Sequence, residues 1–162
     1  VIASGSLAWA ACAWVQARLD RRDGGRGRPA RIRGGVALMV VGAIGMALVP
    51  WLGAGVFPIA IGSHLVAGLG IGLAHASVGA ITFAEAREGE AGTVSAALQL
   101  ADSFTPAVAI GAGGALLAIG EAVGWATRPA IGAALGLTVP IFAVSLLAAL
   151  RLGQTPGERG HG

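Results

Sequence analysis

The sequence predicts an all-α membrane protein, a bundle of five helices that span a bilayer. Three observations carry that prediction. The chain is 55% hydrophobic and 12% charged, with a mean hydropathy of +0.76. A soluble domain carries roughly a quarter charged residues, so there is too little polar surface here to cover a globule of this size. No Asp, Glu, Lys or Arg occurs between residues 34 and 84, and seven of the eleven basic residues, all of them Arg, crowd into residues 18–33. Short basic stretches between long apolar runs resist translocation, so this one marks the cytoplasmic side of a multi-pass protein.

The elements follow in order. Span one covers residues 1–17, with Trp9 and Trp14 toward its loop end, where indole rings anchor at headgroup level. It is slightly short of the ~20 residues that cross a bilayer and opens without the charged region of a signal peptide. We therefore expect a chain cut from something longer. The basic stretch 18–33 is the first cytoplasmic loop. Span two covers 34–52 and closes in the breaker cluster Pro50-Trp51-Leu52-Gly53. Span three, 57–84, exceeds 30 Å at about 1.5 Å per residue and can cross with tilt. Span four, 93–119, follows an acidic loop, and Glu90 suits the positive end of its dipole. Span five covers 129–150, without a charge. Residues 1–152 thus form one helical bundle, and the polar tail 153–162 is expected to be disordered in the cytoplasm.

With the first loop inside, the loops alternate, and ten of the eleven arginines fall inside with only Arg128 outside. The implied location is the plasma (inner) membrane, multi-pass, with a cytoplasmic C-terminus. Twenty-eight glycines fit such a bundle. Helices in lipid associate by close backbone approach at small residues, and Gly68 with Gly72, Gly132 with Gly136, and Gly111 with Gly113 and Gly114 are expected to supply such contacts.

Asp102 is the one acid inside a span, about nine residues from Thr93 and so roughly 14 Å into a ~30 Å core. A carboxylate there should face a bundle interior or a water-filled path. At ~100° per residue, Ser95, Gln99, Asp102, Pro106 and Gly113 share one stripe, and Pro106 should kink the helix beside the acid. Asp102 is either a proton or cation site on a transport pathway, with Gln99 beside it, or a packing group paired with Gln99 or Ser103. His64 and His75, eleven residues apart, project from one side of span three. Imidazole suits proton coupling, but a neutral bridge between helices is the commoner use.

Other classes find no support. The sequence pI near 11 reflects one loop without aromatic interleaving, so no nucleic-acid partner is expected. Cys12 stands alone, which excludes an internal disulfide, and neither a metal site nor a cofactor is expected. Gly68-Leu69-Gly70-Ile71-Gly72 nearly matches a dinucleotide fingerprint, but Leu73 takes the place of the last Gly and no strand precedes it. No phosphate loop, nucleophile elbow or metalloprotease helix appears, so the chain is not expected to be an enzyme.

Three stretches carry a family resemblance. Residues 9–21, ending in Arg18-Leu19-Asp20-Arg21, are similar to the span-and-loop where major facilitator transporters repeat their Gly-x-x-x-Asp-Arg-x-Gly-Arg motif. Asp20 and Arg21 match, Gln16 replaces the first Gly, and the Gly-Arg pair comes late at Gly25-Arg26. Gly68 to Gly72 resembles the Gly-rich tenth span. Residues 94–102 followed by Gly111, Gly113 and Gly114 look like the eleventh span of bacterial drug/proton antiporters. By order and spacing the chain is similar to the C-terminal half of that family, lacking the first helix of its six-helix half. The resemblance implies alternating access, with protons exchanged for small hydrophobic compounds or drugs. It also implies a partner, the missing N-terminal half of the same transporter. Uptake of a small metabolite is the near rival, and a non-transporting or homo-oligomeric membrane protein is the alternative of another class.

Overall fold

The computed structural model describes residues 2–52 and 56–151. Among them every regular element is helical. The chain runs α1 (Ile2–Asp23), α2 (Arg28–Leu48) with a short 3-10 turn at Val49–Trp51, α3 (Val56–Glu85), α4 (Ala91–Ala122), α5 (Thr127–Gly136) and α6 (Thr138–Arg151). Among the described residues four stretches are long and apolar enough to cross a membrane: Arg28–Trp51, Val56–Glu85, Ala91–Ala122 and Thr127–Arg151. The α1 helix, 22 residues long, is less apolar because it carries Gln16, Arg18 and the Arg21-Arg22 pair.

The helices reach further than the apolar runs that announce them. Residues 18–33 are not a loop: α1 continues to Asp23, α2 starts at Arg28, and only residues 24–27 turn. The sequence permits this because its acids and bases pair across the turn. Gly24 and Gly25 take positive φ (61° and 84°), a conformation that disfavours residues with a Cβ. The Asp23 carboxylate then accepts the Gly25 and Gly27 N–H groups at 2.9 and 3.2 Å. Pro29 opens α2 in its first turn, where a missing N–H costs nothing.

A second difference lies in the last span, which breaks at Leu137 into α5 and α6. Pro140 explains the break, since it has no N–H for the Gly136 carbonyl and its ring crowds that oxygen. The Thr138 hydroxyl bonds the Leu135 carbonyl at 2.7 Å beside it. By contrast α4 continues as a helix through Pro106. Its C-terminus closes in a Schellman arrangement: Gly124 has φ 75°, the Trp125 N–H bonds the Gly120 carbonyl at 2.7 Å, and the Gly124 N–H bonds Glu121 at 3.1 Å. Residues 53–55, and the tail 153–162 expected to be disordered, lie outside the described residues.

The α3 helix is the centre of the bundle, and small residues let its neighbours approach. On one side Gly68 packs against the Gly5 backbone, and a Cβ at Gly72 would stand 2.7 Å from both the Cys12 Cβ and the Trp9 carbonyl of α1. On the other, a Cβ at Gly35 of α2 would stand 2.6 Å from the Gly70 carbonyl, and one at Gly42 would stand 2.7 Å from the Ser63 carbonyl. The registers make α1 parallel and α2 antiparallel to α3. Ile32, Val36, Ala74 and Ala149 form a buried cluster where α2, α3 and α6 meet. That cluster puts the start of α2 and the ends of α3 and α6 at one end of the bundle, together with the end of α1.

The α4 helix is the exception, since only Gly120 among its residues is buried. Gly120 lies against the Trp125 ring and Ala130 of α5, so α4 is fastened chiefly at its far end. Four of the glycines expected to pack closely meet no close neighbour among the described residues. A Cβ at Gly111, Gly114 or Gly136 would meet nothing within 4 Å, and one at Gly113 would only touch Ala134 at 3.9 Å. Those positions lie on faces that no described helix covers. Gly132 does pack closely: a Cβ there would stand 3.0 Å from Trp51 Nε1.

Candidate functional site

The site begins at Asp102, in the middle third of α4, on the stripe its spacing defines. Its partner is neither Gln99 nor Ser103 but His75 of α3, with Nε2 3.7 Å from Oδ2. That distance is too long for a hydrogen bond and within range of an ion pair. Both side chains are about half exposed, 50% for His75 and 54% for Asp102, so each is open on one flank. They are a contact between two long helices that otherwise barely touch.

Two cavities meet at His75. One of about 430 Å³ opens between α3 and α4, walled by Val78, Phe83, Leu98 and Ala101, with His75 and Asp102 on its surface. The other, about 300 Å³, is lined by Met39, Ile71, Thr105, Phe142 and Ser145 together with His75. From the α1 side the Trp9 ring stands edge-on to His75, 6.2 Å between centroids at 87°. The imidazole is therefore held between an aromatic ring on one helix and a carboxylate on another.

Among the described residues this is the one ion pair that joins α3 to α4, so the attraction between the two side chains bears directly on how these helices meet.

The other sequence-selected residues are placed less centrally. Gln99 is exposed on α4 and lines neither cavity at His75. His64 sits at the α1–α3 crossing against Gly5, lining a separate cavity of about 170 Å³ with Ser6 and Trp9. Both histidines flank Trp9, as their spacing implies, but only His75 reaches Asp102. Among the described residues no three His, Cys, Asp or Glu side chains converge as metal ligands would.

At the basic end the motif residues separate into two groups. Asp20 accepts from Arg28 Nε at 2.9 Å and from Arg31 Nη2 at 2.7 Å, and Arg31 Nη1 also reaches Asp23 at 2.7 Å. Arg28 chiefly, and Arg31 with it, holds the Asp20 carboxyl below the usual carboxylate range; Arg31 does the same for Asp23. Arg21 and Arg26, the motif's own cations, are exposed and make no ion pair among the described residues, and Gly25 serves the turn.

Sequence reasoning missed one buried contact. Gln16 is 3% exposed and donates to the Ser77 hydroxyl at 3.1 Å, and Ser77, fully buried, donates to the Leu73 carbonyl at 2.8 Å. Its signal was present, since Gly5, Cys12 and Gln16 recur on one face of α1 at helical spacing. The Trp9 ring is 45% exposed and edge-on to His75, while its carbonyl lies against Gly72.

The chain matches no protein-family model, no curated protein and no solved structure in comparisons with each. Function therefore has to be argued from these residues and their geometry.

Proposed function

We propose that the chain is the C-terminal half of a proton-coupled secondary transporter of the major facilitator type, exporting small hydrophobic compounds across the plasma membrane. One observation carries this reading: the His75–Asp102 pair, 3.7 Å apart between α3 and α4, on the surface of an apolar cavity. Ionisable residues at membrane depth are costly and mark proton or substrate routes. The order of motifs along the chain supports the family, and the uncovered length of α4 supports a second bundle packed beside it.

In this mechanism two bundles rock about a central cavity. Proton binding at Asp102 abolishes its attraction for His75 and frees α4 to move against α3. Proton release on the other side restores the pair and resets the bundle. The walls of Val78, Phe83 and Leu98 favour an apolar substrate, and with no Arg or Lys among the described residues that line the cavity an anionic metabolite fits less well.

The test uses the complete reading frame in proteoliposomes, with efflux of a lipophilic dye driven by a pH gradient. Asp102→Asn should reduce the gradient-driven rate by roughly tenfold or more, about 1.4 kcal/mol in the barrier. Dye exchange without a gradient should survive. Gradient-driven efflux unchanged in Asp102→Asn would reject the pair as the coupling site. The rival reading, a non-transporting homo-oligomer, is favoured by the same uncovered α4. Cross-linking between copies through cysteines on α4, with no dye transport by the complete protein, would establish it.

A further inference from the structure

The arginines at the α1–α2 end outnumber the acids that answer them, seven against two over residues 18–33. The pairing is lopsided. Asp20 and Asp23 are consumed by Arg28 and Arg31 and by the amides of the turn. Arg21, Arg22 and Arg26 are exposed and make no ion pair among the described residues. Arg18 lies over the Trp14 ring, 5.2 Å from its centroid. This end is a fixed turn carrying an unanswered excess of positive charge.

Depth decides what the charge meets. Trp14 is 61% exposed, a position suited to the boundary between acyl chains and headgroups. Arg18, Arg21 and Arg22 follow it along the same helix, roughly 6 to 12 Å further at helical rise, which is the depth of lipid phosphates. Clusters of guanidinium groups just beyond a span attract anionic lipid, each worth about a fivefold gain near the surface. The α3–α4 turn at the same end carries Glu85, Glu88 and Glu90 against Arg87, and α6 adds Arg151 alone, so the cluster of positive charge is that of the α1–α2 turn.

From this we infer that the α1–α2 turn is a binding surface for anionic phospholipid headgroups, with Arg21, Arg22 and Arg26 as the phosphate contacts. Because Asp20 and Asp23 already neutralise Arg28 and Arg31, the turn keeps its shape without lipid and presents the remaining guanidinium groups preformed. The inference rests on the membrane reading and is independent of what the protein transports.

The experiment is electron paramagnetic resonance of the chain reconstituted in phosphatidylcholine vesicles with spin-labelled phosphatidylglycerol or spin-labelled phosphatidylcholine. The wild type should hold the anionic probe several-fold more strongly than the zwitterionic one. R21Q/R22Q/R26Q should lose most of that preference, and R21K/R22K/R26K should keep it. Equal affinity for both probes in the wild type, or full preference in the glutamine variant, overturns the lipid surface. Displacement of the anionic probe by short duplex RNA beyond the effect of matched salt would assign the patch to nucleic acid and overturn it too. A complete absence of motionally restricted lipid would instead refute the membrane reading itself, so the two failures are distinct.

Discussion

Single residues already show which contacts govern this molecule. Asp20 and Asp23 are held below the usual carboxylate range, Asp20 chiefly by Arg28 and Asp23 by Arg31. A depressed folded-state value means stabilisation that is present above the unfolded value of about 3.9 and lost as pH falls through the folded one. Hydrogen exchange at the Gly25 and Gly27 amides, corrected for intrinsic rates, should therefore stay slow from neutral pH down to about 5 and rise only below about 4. The Gln16–Ser77 bond makes a second case. Ser77→Ala should destabilise the α1–α3 pair by about 1 kcal/mol, since interhelical hydrogen bonds in bilayers are modest and a buried amide is left wanting a partner. Denaturation in mixed detergent micelles would measure it. Of these residues the sequence exposed Asp20 through its motif, and Asp102 because it is the one acid inside an apolar run. It could not expose Arg28 or His75 as their partners, because which faces meet is set by helix packing and not by spacing along one helix.

Helices make the next level, and here close approach separates glycines that look alike in the sequence. Gly35→Leu should force α2 away from α3, because the neighbours it meets are the Gly70 carbonyl and the Ala74 amide, which cannot rotate aside. Overpacking of this kind costs about 1–3 kcal/mol. Gly111→Ala meets open space and should be neutral or stabilising by up to about 1 kcal/mol through helix propensity. Thermal unfolding of the two variants in one detergent would show the contrast, and equal losses would contradict the packing described for α3. The apolar runs were enough to place α3 and α4 to within three residues at each end, whereas α2 starts six residues ahead of its run. They fell short at α1, where paired Asp and Arg side chains let the helix continue through a stretch that composition reads as loop. They also concealed the break at Leu137, although Pro140 stood in the run as its marker.

At the scale of the whole molecule, α1 to α3 form a tightly packed group, α5 and α6 close one side, and α4 stands with most of its length uncovered. In the proposed transporter the contact between His75 and Asp102 is what α3 and α4 share at mid-length, so a change there alters how these two helices meet whatever covers the other flank of α4. The account depends before anything else on the chain crossing a bilayer with its arginine turn on one side and the α2–α3 connection on the other. Cysteines placed at Arg26 and at Leu52, in a Cys12→Ala background, test this directly in sealed cells with a membrane-impermeant maleimide. The cysteine at position 52 should label in intact cells, and the one at position 26 only after permeabilisation. Labelling of both positions from the same side would contradict the account.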